Sequence, residues 1–538
     1  MPGSRVLHLL WVAVLLSAAT NASASPADFA ARCAALRAPH IAGLSIEQAT
    51  VVPAGPATLG GAPGAQAQVQ LPAHCLFQGT LGARTGAQGQ HLGIGIELRL
   101  PMQWNGRFLF QGGGGLDGVL GPSYGLISGT HFAPALSRGY AVVATDGGHR
   151  SPSLIDPHFA LDQQARLDYG YNALDQTTSI AKQLISRFYG SAPTHSYFIG
   201  CSNGGRQAMM VAQRLPLEFD GVVAGDPSFR LTRTNIDEAW NEIVLARAAP
   251  KDARGRPIIS EALSPADLQL VSAAVLKQCD ALDGLADGMI NDFRACRFDP
   301  AVLTCPAAKT PQCLSAPQVT ALKALMSGPH DSQGRQLYAA FPYDAGISSQ
   351  AYYRMHFGTS IDGVPNSADA TLGFDTLRYL AFTPPDPSFD VFRFDFDRDV
   401  ERTAEGSKII DADAVNLNSF AAHAKLILYH GLSDQGLSPL DTVSWYEHLA
   451  PSSPGAVRDW ARLFLVPGMT HCAGGPATDQ FDTLTAIVDW VEKGQAPERI
   501  VARGDSFPGV TRPLCAYPQV ARYGGGDAHR AASFQCRR

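Results

Sequence analysis

Residues 197–213 read YFIGCSNGGRQAMMVAQ: a short apolar run, a glycine-rich turn around Ser202, and then a helical pattern. This is G-x-S-x-G between a strand and a helix, where a strained turn lifts a serine hydroxyl above the carboxyl edge of a sheet. Small residues are needed beside such a turn, as Gly200 and Gly204 are here. We predict that Ser202 is a nucleophile and that the backbone N–H of Asn203 binds a developing oxyanion. A glycine-rich loop without a catalytic role is the alternative.

A second glycine cluster supports this interpretation. Gly112 to Gly115 follow the apolar run Arg107–Gln111. In α/β-hydrolases a glycine-rich loop early in the sheet supplies the other oxyanion N–H. We therefore predict that Gly113 and Gly114 border the oxyanion site, with a flexible turn as the alternative.

The acid and the base of such a site follow the nucleophile along the chain. Asp434 comes shortly after the apolar run 425–429, and His471 follows the run 462–466. When an acid and an imidazole lie at neighbouring strand ends, the acid can orient the imidazole and stabilise its protonated form. We predict Ser202, Asp434 and His471 as the catalytic triad. The competing residues are His430, His423, Asp146 and Asp441.

The remaining apolar runs predict an α/β-hydrolase fold. Short runs bounded by Gly, Pro or Asp are typical of strands buried on both faces of a parallel sheet, and helical patterns alternate with them. Residues 226–412 interrupt this alternation with four cysteines and many Pro, Asp and Gly residues. We predict a catalytic domain in two parts, 25–225 and 413–538, with residues 226–412 inserted as a lid.

The N-terminus and the cysteines predict export. Arg5, the apolar stretch 6–19 and Ala22-Ser23-Ala24 have the pattern of a cleaved signal peptide, which we assign to residues 1–24. Ten cysteines in an exported chain favour five disulfides. We expect a secreted or periplasmic protein that has no membrane contact after cleavage. An uncleaved anchor is the alternative.

The composition is that of a globular enzyme. The formal net charge is −6, only 17% of residues are charged, and there is no basic block. Nucleic acid is therefore not an expected partner. The sequence does not predict an oligomeric state.

Two cysteines adjoin the proposed nucleophile and base. Cys201 precedes Ser202, and Cys472 follows His471. If the serine and the histidine are in contact, these cysteines are close enough to form a disulfide that joins the two catalytic loops. A nucleophilic Cys201 is the weaker alternative, because the turn exposes the serine instead.

Together these motifs resemble the tannase and feruloyl esterase family over nearly the whole mature chain. The matching segments are GCSNGG (200–205), QGGGGLDG (111–118), HGLSD (430–434) and GMTHCAGG (468–475). The resemblance implies a serine carboxylic-ester hydrolase that cleaves feruloyl, galloyl or similar aromatic-acid esters and uses no redox or nucleotide cofactor. Terephthalate monoester cleavage is an alternative within the family. A serine peptidase or a non-catalytic binding protein are alternatives outside it.

The predicted lid contains a loop of oxygen ligands. Asp280, Asp283 and Asp287 alternate with glycines, and the backbone carbonyls of Leu285 and Met289 could complete a calcium site. An Asp/Gly surface turn is the alternative. The resemblance implies a structural Ca²⁺ here. It also implies the disulfides Cys279–Cys296, Cys33–Cys75, Cys305–Cys313 and Cys515–Cys536.

Substrate selection is expected in the lid. Its aromatic residues Tyr352, Tyr353, Phe357, Tyr379 and Phe382 could stack on an aromatic acid. Arg378 could pair with a carboxylate or a phenol. The alternatives are that the aromatic residues form lid core and that Arg378 makes a salt bridge within the lid.

Overall fold

The structure is a computed structural model that describes residues 25–38, 40–59, 67–86, 88–127, 132–453 and 455–538. The predicted signal peptide, residues 1–24, lies outside the described residues. No helix in the described ranges is long and apolar enough to cross a membrane.

A nine-stranded sheet forms the centre of the fold. The described strands are β1 (Leu44–Val52), β2 (Gly55–Leu59), β3 (Ala67–Leu71), β4 (His74–Thr85), β5 (His91–Pro101), β6 (Arg107–Gln111), β7 (Ala141–Thr145), β8 (His195–Cys201), β9 (Gly221–Gly225), β10 (Lys425–Gly431), β11 (Ala461–Val466), β12 (Arg499–Arg503), β13 (Thr511–Cys515), β14 (Val520–Tyr523) and β15 (Phe534–Arg537). The order in the sheet is β1-β4-β5-β7-β6-β8-β9-β10-β11. Strands β6 to β11 run parallel, and β1, β4 and β5 extend the sheet in antiparallel fashion.

Helices cover both faces of this sheet. The described α-helices are α1 (Pro26–Ala35), α2 (Gln163–Leu167), α3 (Ala173–Tyr189), α4 (Asn203–Arg214), α5 (Leu231–Ala248), α6 (Pro265–Cys279), α7 (Ala316–Ser327), α8 (Gln350–His356), α9 (Ala404–Ile410), α10 (Asn418–Ala421), α11 (Pro439–His448) and α12 (Thr483–Lys493). Phe108 and Phe110 join a core with α3 and α4, whereas Leu109 joins a core with α12 on the other face. Burial on both faces explains why the strands read as continuous apolar runs.

The lid is inserted between two neighbouring strands. The chain leaves the sheet after β9 and returns in β10, which pairs with β9 in parallel. The two ends of the insertion meet, because the N–H of Ala412 donates to the carbonyl of Phe229 at 2.7 Å. The lid has apolar cores of its own, formed mainly by α5 to α8 and by the π-helical segments Asp369–Gly373 and Thr376–Ala381.

Five disulfides link the described residues. They join Cys33 to Cys75, Cys201 to Cys472, Cys279 to Cys296, Cys305 to Cys313, and Cys515 to Cys536. These pairs are those expected from the sequence and the resemblance.

Candidate active site

Ser202 lies on a strained turn between β8 and α4. Its backbone has φ 63° and ψ −125°, a conformation that residues other than glycine rarely adopt. Neighbouring backbone leaves no room for larger residues: a Cβ on Gly200 would lie 2.4 Å from the carbonyl of Gly204. The N–H of Ser202 donates to the carbonyl of Gly225 at 3.0 Å. The turn therefore holds the serine at the carboxyl edge of the sheet, as its motif predicts.

Asp434 and His471 form a hydrogen-bonded pair beside this turn. Nδ1 of His471 lies 2.7 Å from Oδ2 of Asp434. Oδ1 of Asp434 accepts the N–H groups of Gly436 and Leu437 at 2.9 and 3.0 Å. The carboxylate is buried and oriented by its own loop, while the histidine side chain remains 28% exposed.

The pair shifts the titration of both groups. Burial alone would raise the pKa of Asp434, but the charges and hydrogen bonds of His471 and His430 hold that pKa well below its usual range. Burial alone would lower the pKa of His471, but the Asp434 carboxylate raises it to about 9. The arrangement thus stabilises the imidazolium, the form that a general base reaches after taking a proton.

A disulfide brings the nucleophile and the histidine together. Cys201 and Cys472 are bonded with their Cα atoms 6.0 Å apart. Ser202 and His471 line the same cavity. The structure therefore assembles the three predicted triad residues from the ends of β8, β10 and β11.

Backbone donors surround the serine, but not all those predicted are free. Asn203 begins α4, and none of the described groups accepts a hydrogen bond from its N–H. The prediction for Gly113 is wrong in one respect: its N–H donates to Oε1 of Gln207 at 2.9 Å and is therefore engaged. The N–H of Gly114 has no acceptor within the described ranges. The glycine loop can supply an oxyanion donor at Gly114, and Gly113 instead anchors the loop on α4.

The side chain of Asn203 belongs to a buried network that the sequence reasoning missed. Its Nδ2 donates to Asp117 at 2.5 Å, and its Oδ1 accepts from Tyr169 and Arg206 at 3.1 and 2.7 Å. Burial raises the pKa of Asp117 to about 7. The network fixes the backbone of Asn203 beneath the active site. Asp117 belongs to the segment QGGGGLDG, which was the available signal.

Asp226 is a second carboxylate near the triad that was not predicted. One of its oxygens, an oxygen of Asp434 and a ring nitrogen of His471 lie within 4.8 Å of one another. Its Oδ1 accepts the N–H of Gly431 at 2.8 Å. Burial raises its pKa to about 7. Its position directly after β9, between the strands of Ser202 and Asp434, was the signal in the sequence.

The competing histidine, His430, is buried behind the acid. Its Nδ1 lies 2.8 Å from Oγ1 of Thr442, and its Nε2 lies 3.0 Å from the carbonyl of Leu437 and 3.4 Å from Oδ2 of Asp434. Neither His430 nor the weaker acid candidate Asp441 lines the cavity, and Asp441 pairs with Arg230 at 2.6 Å. Asp146 does not line the cavity either, and its side chain accepts N–H groups of Gly95 and Gly148.

The cavity over Ser202 has a volume of about 130 Å³ and is lined by both the sheet domain and the lid. The sheet domain contributes Ser202, Asn203 and His471 together with Gly115, Leu116, Tyr169, Gln435, Gly436 and Leu437. Other lining residues come from the lid: Ser228, Leu231, Thr234, Asn235, Glu238, Met355, Leu372 and Thr376.

None of the four predicted substrate contacts lines this cavity. Tyr353 donates from its hydroxyl to the carbonyl of Ser260 at 2.7 Å, and Phe382 is fully buried in a lid core. Tyr379 packs on His158, and Arg378 binds Asp375 and the carbonyl of Phe389 at 3.0 and 2.9 Å. Tyr352 and Phe357 are also buried in lid core. The predictions are wrong because helix packing turns these side chains away from the cavity.

The carboxylates of the predicted calcium loop are neighbours along the chain, but their oxygens do not all lie within 4.8 Å of one another. The oxygens of Asp280 accept N–H groups of Asp287 and Gly288, and the Cys279–Cys296 disulfide closes the segment. Burial raises the pKa of Asp283 to about 6, and the charge of Asp287 adds to the rise. Burial also raises the pKa of Asp287, with a contribution from Asp280, although Arg512 binds it. The carboxylates are hard-oxygen donors, the ligand type that calcium prefers, although Arg512 already pairs with one of them.

Comparisons with known proteins give the same class of enzyme. The family model described as "Tannase and feruloyl esterase" matches residues 80–537. The mono(2-hydroxyethyl) terephthalate hydrolase of Piscinibacter sakaiensis is 44% identical, covering 88% of this chain and 86% of that protein. A probable feruloyl esterase of Arthroderma benhamiae is 30% identical, with 82% of each chain covered.

A solved structure shares the fold. The crystal structure of feruloyl esterase B from Aspergillus oryzae superposes with a TM-score of 0.78 at 26% identity, covering 95% of this chain and 100% of that one. The fold and these relatives define a carboxylic-ester hydrolase built on an α/β-hydrolase sheet. The chain belongs to the tannase and feruloyl esterase family.

Proposed function

We propose that this protein hydrolyses esters of aromatic acids through an acyl-enzyme on Ser202. The observation that carries the proposal is the hydrogen-bonded pair of His471 and Asp434, which shares one cavity with a serine on a strained turn. Its relatives include proteins named as feruloyl esterases and as a terephthalate monoester hydrolase, and these names suggest that the acid part of the ester is aromatic.

In the first half of the reaction, His471 takes the proton of Ser202 as its Oγ bonds to the ester carbonyl carbon. The resulting oxyanion accepts hydrogen bonds from the N–H groups of Asn203 and Gly114. The carbon–oxygen bond to the alcohol then breaks, and the imidazolium of His471 protonates the leaving alcohol.

In the second half, water attacks the acyl-enzyme. His471 takes one proton of the water while the water oxygen bonds to the acyl carbon. The bond to Oγ breaks, the proton returns to Ser202, and the aromatic acid is released. Asp434 stays ionised throughout and holds the ring of His471 in place.

An ester panel tests this proposal. It contains methyl ferulate, methyl gallate, mono(2-hydroxyethyl) terephthalate and a p-nitrophenyl ester of a short aliphatic acid. We expect the purified, oxidised protein to prefer an aromatic acid and Ser202→Ala to be inactive on all four. Turnover of the aliphatic ester alone would be consistent with the triad but would contradict the expected preference for esters of aromatic acids.

We also propose that the loop of Asp280, Asp283 and Asp287 holds a structural Ca²⁺, with backbone carbonyls of Leu285 and Met289 as further ligands. The raised pKa values of Asp283 and Asp287 support it, because burial, and to a lesser extent a neighbouring carboxylate, disfavours the ionised form that a cation would stabilise. The ion would join the loop to the C-terminal hairpins, where Arg512 already binds Asp287. Its role is structural, since the loop contributes no residue to the cavity.

We further propose that the protein is exported with removal of residues 1–24. The signal-like pattern of these residues and the five disulfides of the described chain support export. N-terminal sequencing of the mature protein should begin near Ser25. A mature protein that retains Met1 would contradict cleavage.

A further inference from the structure

Helix α5 forms one wall of the active-site cavity. Leu231, Thr234, Asn235 and Glu238 line the cavity at helical spacing, so one face of α5 is turned toward it. Glu238 is only 3% exposed. A carboxyl group is thus placed in the wall of a cavity that otherwise contains mostly apolar and neutral side chains.

Glu238 and Asn235 have unused hydrogen-bonding capacity. Oε2 of Glu238 accepts from Nδ2 of Asn235 at 2.7 Å, and no described residue bonds Oε1. Oδ1 of Asn235 is buried without a partner among the described residues. The lid backbone holds Glu238 in place, because a Cβ on Gly373 would lie 2.5 Å from its Oε2. Buried polar groups are normally paired, so Glu238 and Asn235 can each accept a further hydrogen-bonding partner.

Other buried acids surround Glu238. Asp237, Glu242 and Asp369 are each at most 1% exposed, and each has an oxygen with no partner in the described chain. Burial and the charge of Asp369 raise the pKa of Glu238 well above its usual range. This shift favours the protonated form of the Glu238 carboxyl, which can both donate and accept a hydrogen bond.

The cavity offers no compensating positive charge. Its lining, as far as the described residues form it, includes neither lysine nor arginine. Arg378, the residue expected to anchor a substrate carboxylate, is bound within the lid. A second carboxylate on the substrate would lose its hydration in this cavity without gaining a cationic partner, which is unfavourable.

We propose that Glu238 and Asn235 recognise a hydroxyl group on the aromatic ring of the substrate. The cavity thereby selects neutral, hydroxyl-bearing aromatic acids over aromatic acids with a second carboxylate. A phenol can donate to one oxygen of Glu238 and accept from its OH group. A ring without the hydroxyl leaves these buried groups unpaired. This inference rests on the proposed esterase function and narrows its substrate class.

The test compares three methyl cinnamates that carry hydroxyl, hydrogen or carboxylate at the para position. If the ester panel favours benzoates, the same three substituents are placed on methyl benzoate. We expect wild-type kcat/KM to favour hydroxyl over hydrogen by at least about ten-fold, and hydroxyl over carboxylate by at least about a hundred-fold. Each ratio is taken within one protein preparation, so it does not depend on the folded fraction.

Variants locate the preference. Glu238→Leu should bring the hydroxyl-to-hydrogen ratio to within about two-fold of unity, whereas Glu238→Gln, which keeps a donor and an acceptor, should retain more of it. Glu242→Gln is the matched control: it lies one turn further along α5, is equally buried and does not line the cavity. It should retain the wild-type ratio.

Two results would overturn the proposal. One is a wild-type protein that cleaves the carboxylate ester as fast as the hydroxyl ester, a result that needs no variant to fold. The other is a Glu238→Leu protein that keeps the wild-type ratio. A wild-type protein that cleaves no ester would instead refute the esterase function, and the proposal would fall with it.

Discussion

The sheet edge and the lid line the same cavity, but they hold their side chains in different ways. Ser202, Asp434 and His471 follow the ends of parallel strands and are fixed by tight turns and a disulfide. Apart from Ser228, the lid residues come from helical segments, and one of these, Thr376–Ala381, is π-helical. We therefore expect the sheet edge to determine whether the reaction occurs and the lid to determine which ester reacts.

The largest expected effect is at the sheet edge. Ser202→Ala or His471→Ala should lower kcat by on the order of 10⁴-fold or more, because each removes a group that acts only in the chemical step. The measurement is hydrolysis of the p-nitrophenyl ester, with circular dichroism and thermal melting as controls for folding. Near-native turnover by either folded variant would contradict the assignment.

Asp434→Asn should lower kcat by roughly 10²–10⁴-fold and change the pH profile. The Asp434 carboxylate raises the pKa of His471 to about 9, with a further contribution from Asp226. Removing this charge lowers that pKa. The neutral imidazole is the general base, so the acid limb of kcat/KM should move to lower pH.

The control for Asp434→Asn is Asp146→Asn, which removes a buried carboxylate that follows another strand end and bonds Gly95 and Gly148 rather than His471. Its acid limb should stay at the wild-type position. An unchanged acid limb in Asp434→Asn would show that His471 is not the titrating base.

Removing a disulfide should have a larger effect on stability and activity at the sheet edge than in the lid. Cys201–Cys472 spans 271 residues and Cys305–Cys313 spans 8. Chain entropy predicts losses of about 5.5 and about 2.5 kcal/mol, respectively, in the free energy of unfolding. Replacing the first pair with serine should also abolish most activity, because it frees the nucleophile and histidine loops.

Denaturant unfolding and ester hydrolysis of the two double variants provide the measurement. The Cys305/Cys313 variant, whose disulfide lies in the lid far along the chain from the triad, is the matched control. Equal activity in both variants would contradict a clamping role for Cys201–Cys472.

Calcium removal should have the smallest effect. Chelation should lower the melting temperature by roughly 2–6 °C through loss of binding to the folded state, with little effect on turnover at low temperature. Asp283→Asn should lose the response to chelator. A metal-free protein, verified by elemental analysis, with an unchanged melting temperature would rule out a structural ion.

The contrast between the regions also explains what could be predicted from sequence. The triad was predictable because each member follows a strand end, and parallel strands bring their carboxyl ends to one edge of the sheet. Cys201 and Cys472 could be paired by the same reasoning. Asp226 obeyed the same rule and was overlooked. Whether the N–H of Gly113 is free depends on the direction of the Gln207 side chain, which no local sequence pattern specifies.

The lid contacts could not be predicted in this way. Tyr353 and Met355 are two residues apart on α8, yet only Met355 lines the cavity. Thr376 and Arg378 are two apart in the π-helical segment, and only Thr376 lines it. Which face of a short helix meets the cavity depends on tertiary packing, and aromatic residues are as useful in a lid core as in a binding site.

The central claim is that Ser202 carries the acyl group, and active-site labelling tests it most directly. The native protein is treated with a fluorophosphonate, and the adduct is located by peptide mass spectrometry, with Ser202→Ala and heat-denatured protein alongside. We predict a single adduct on Ser202 of the native protein and none in either control. No adduct on the folded native protein, or an adduct that persists in Ser202→Ala, would contradict the account.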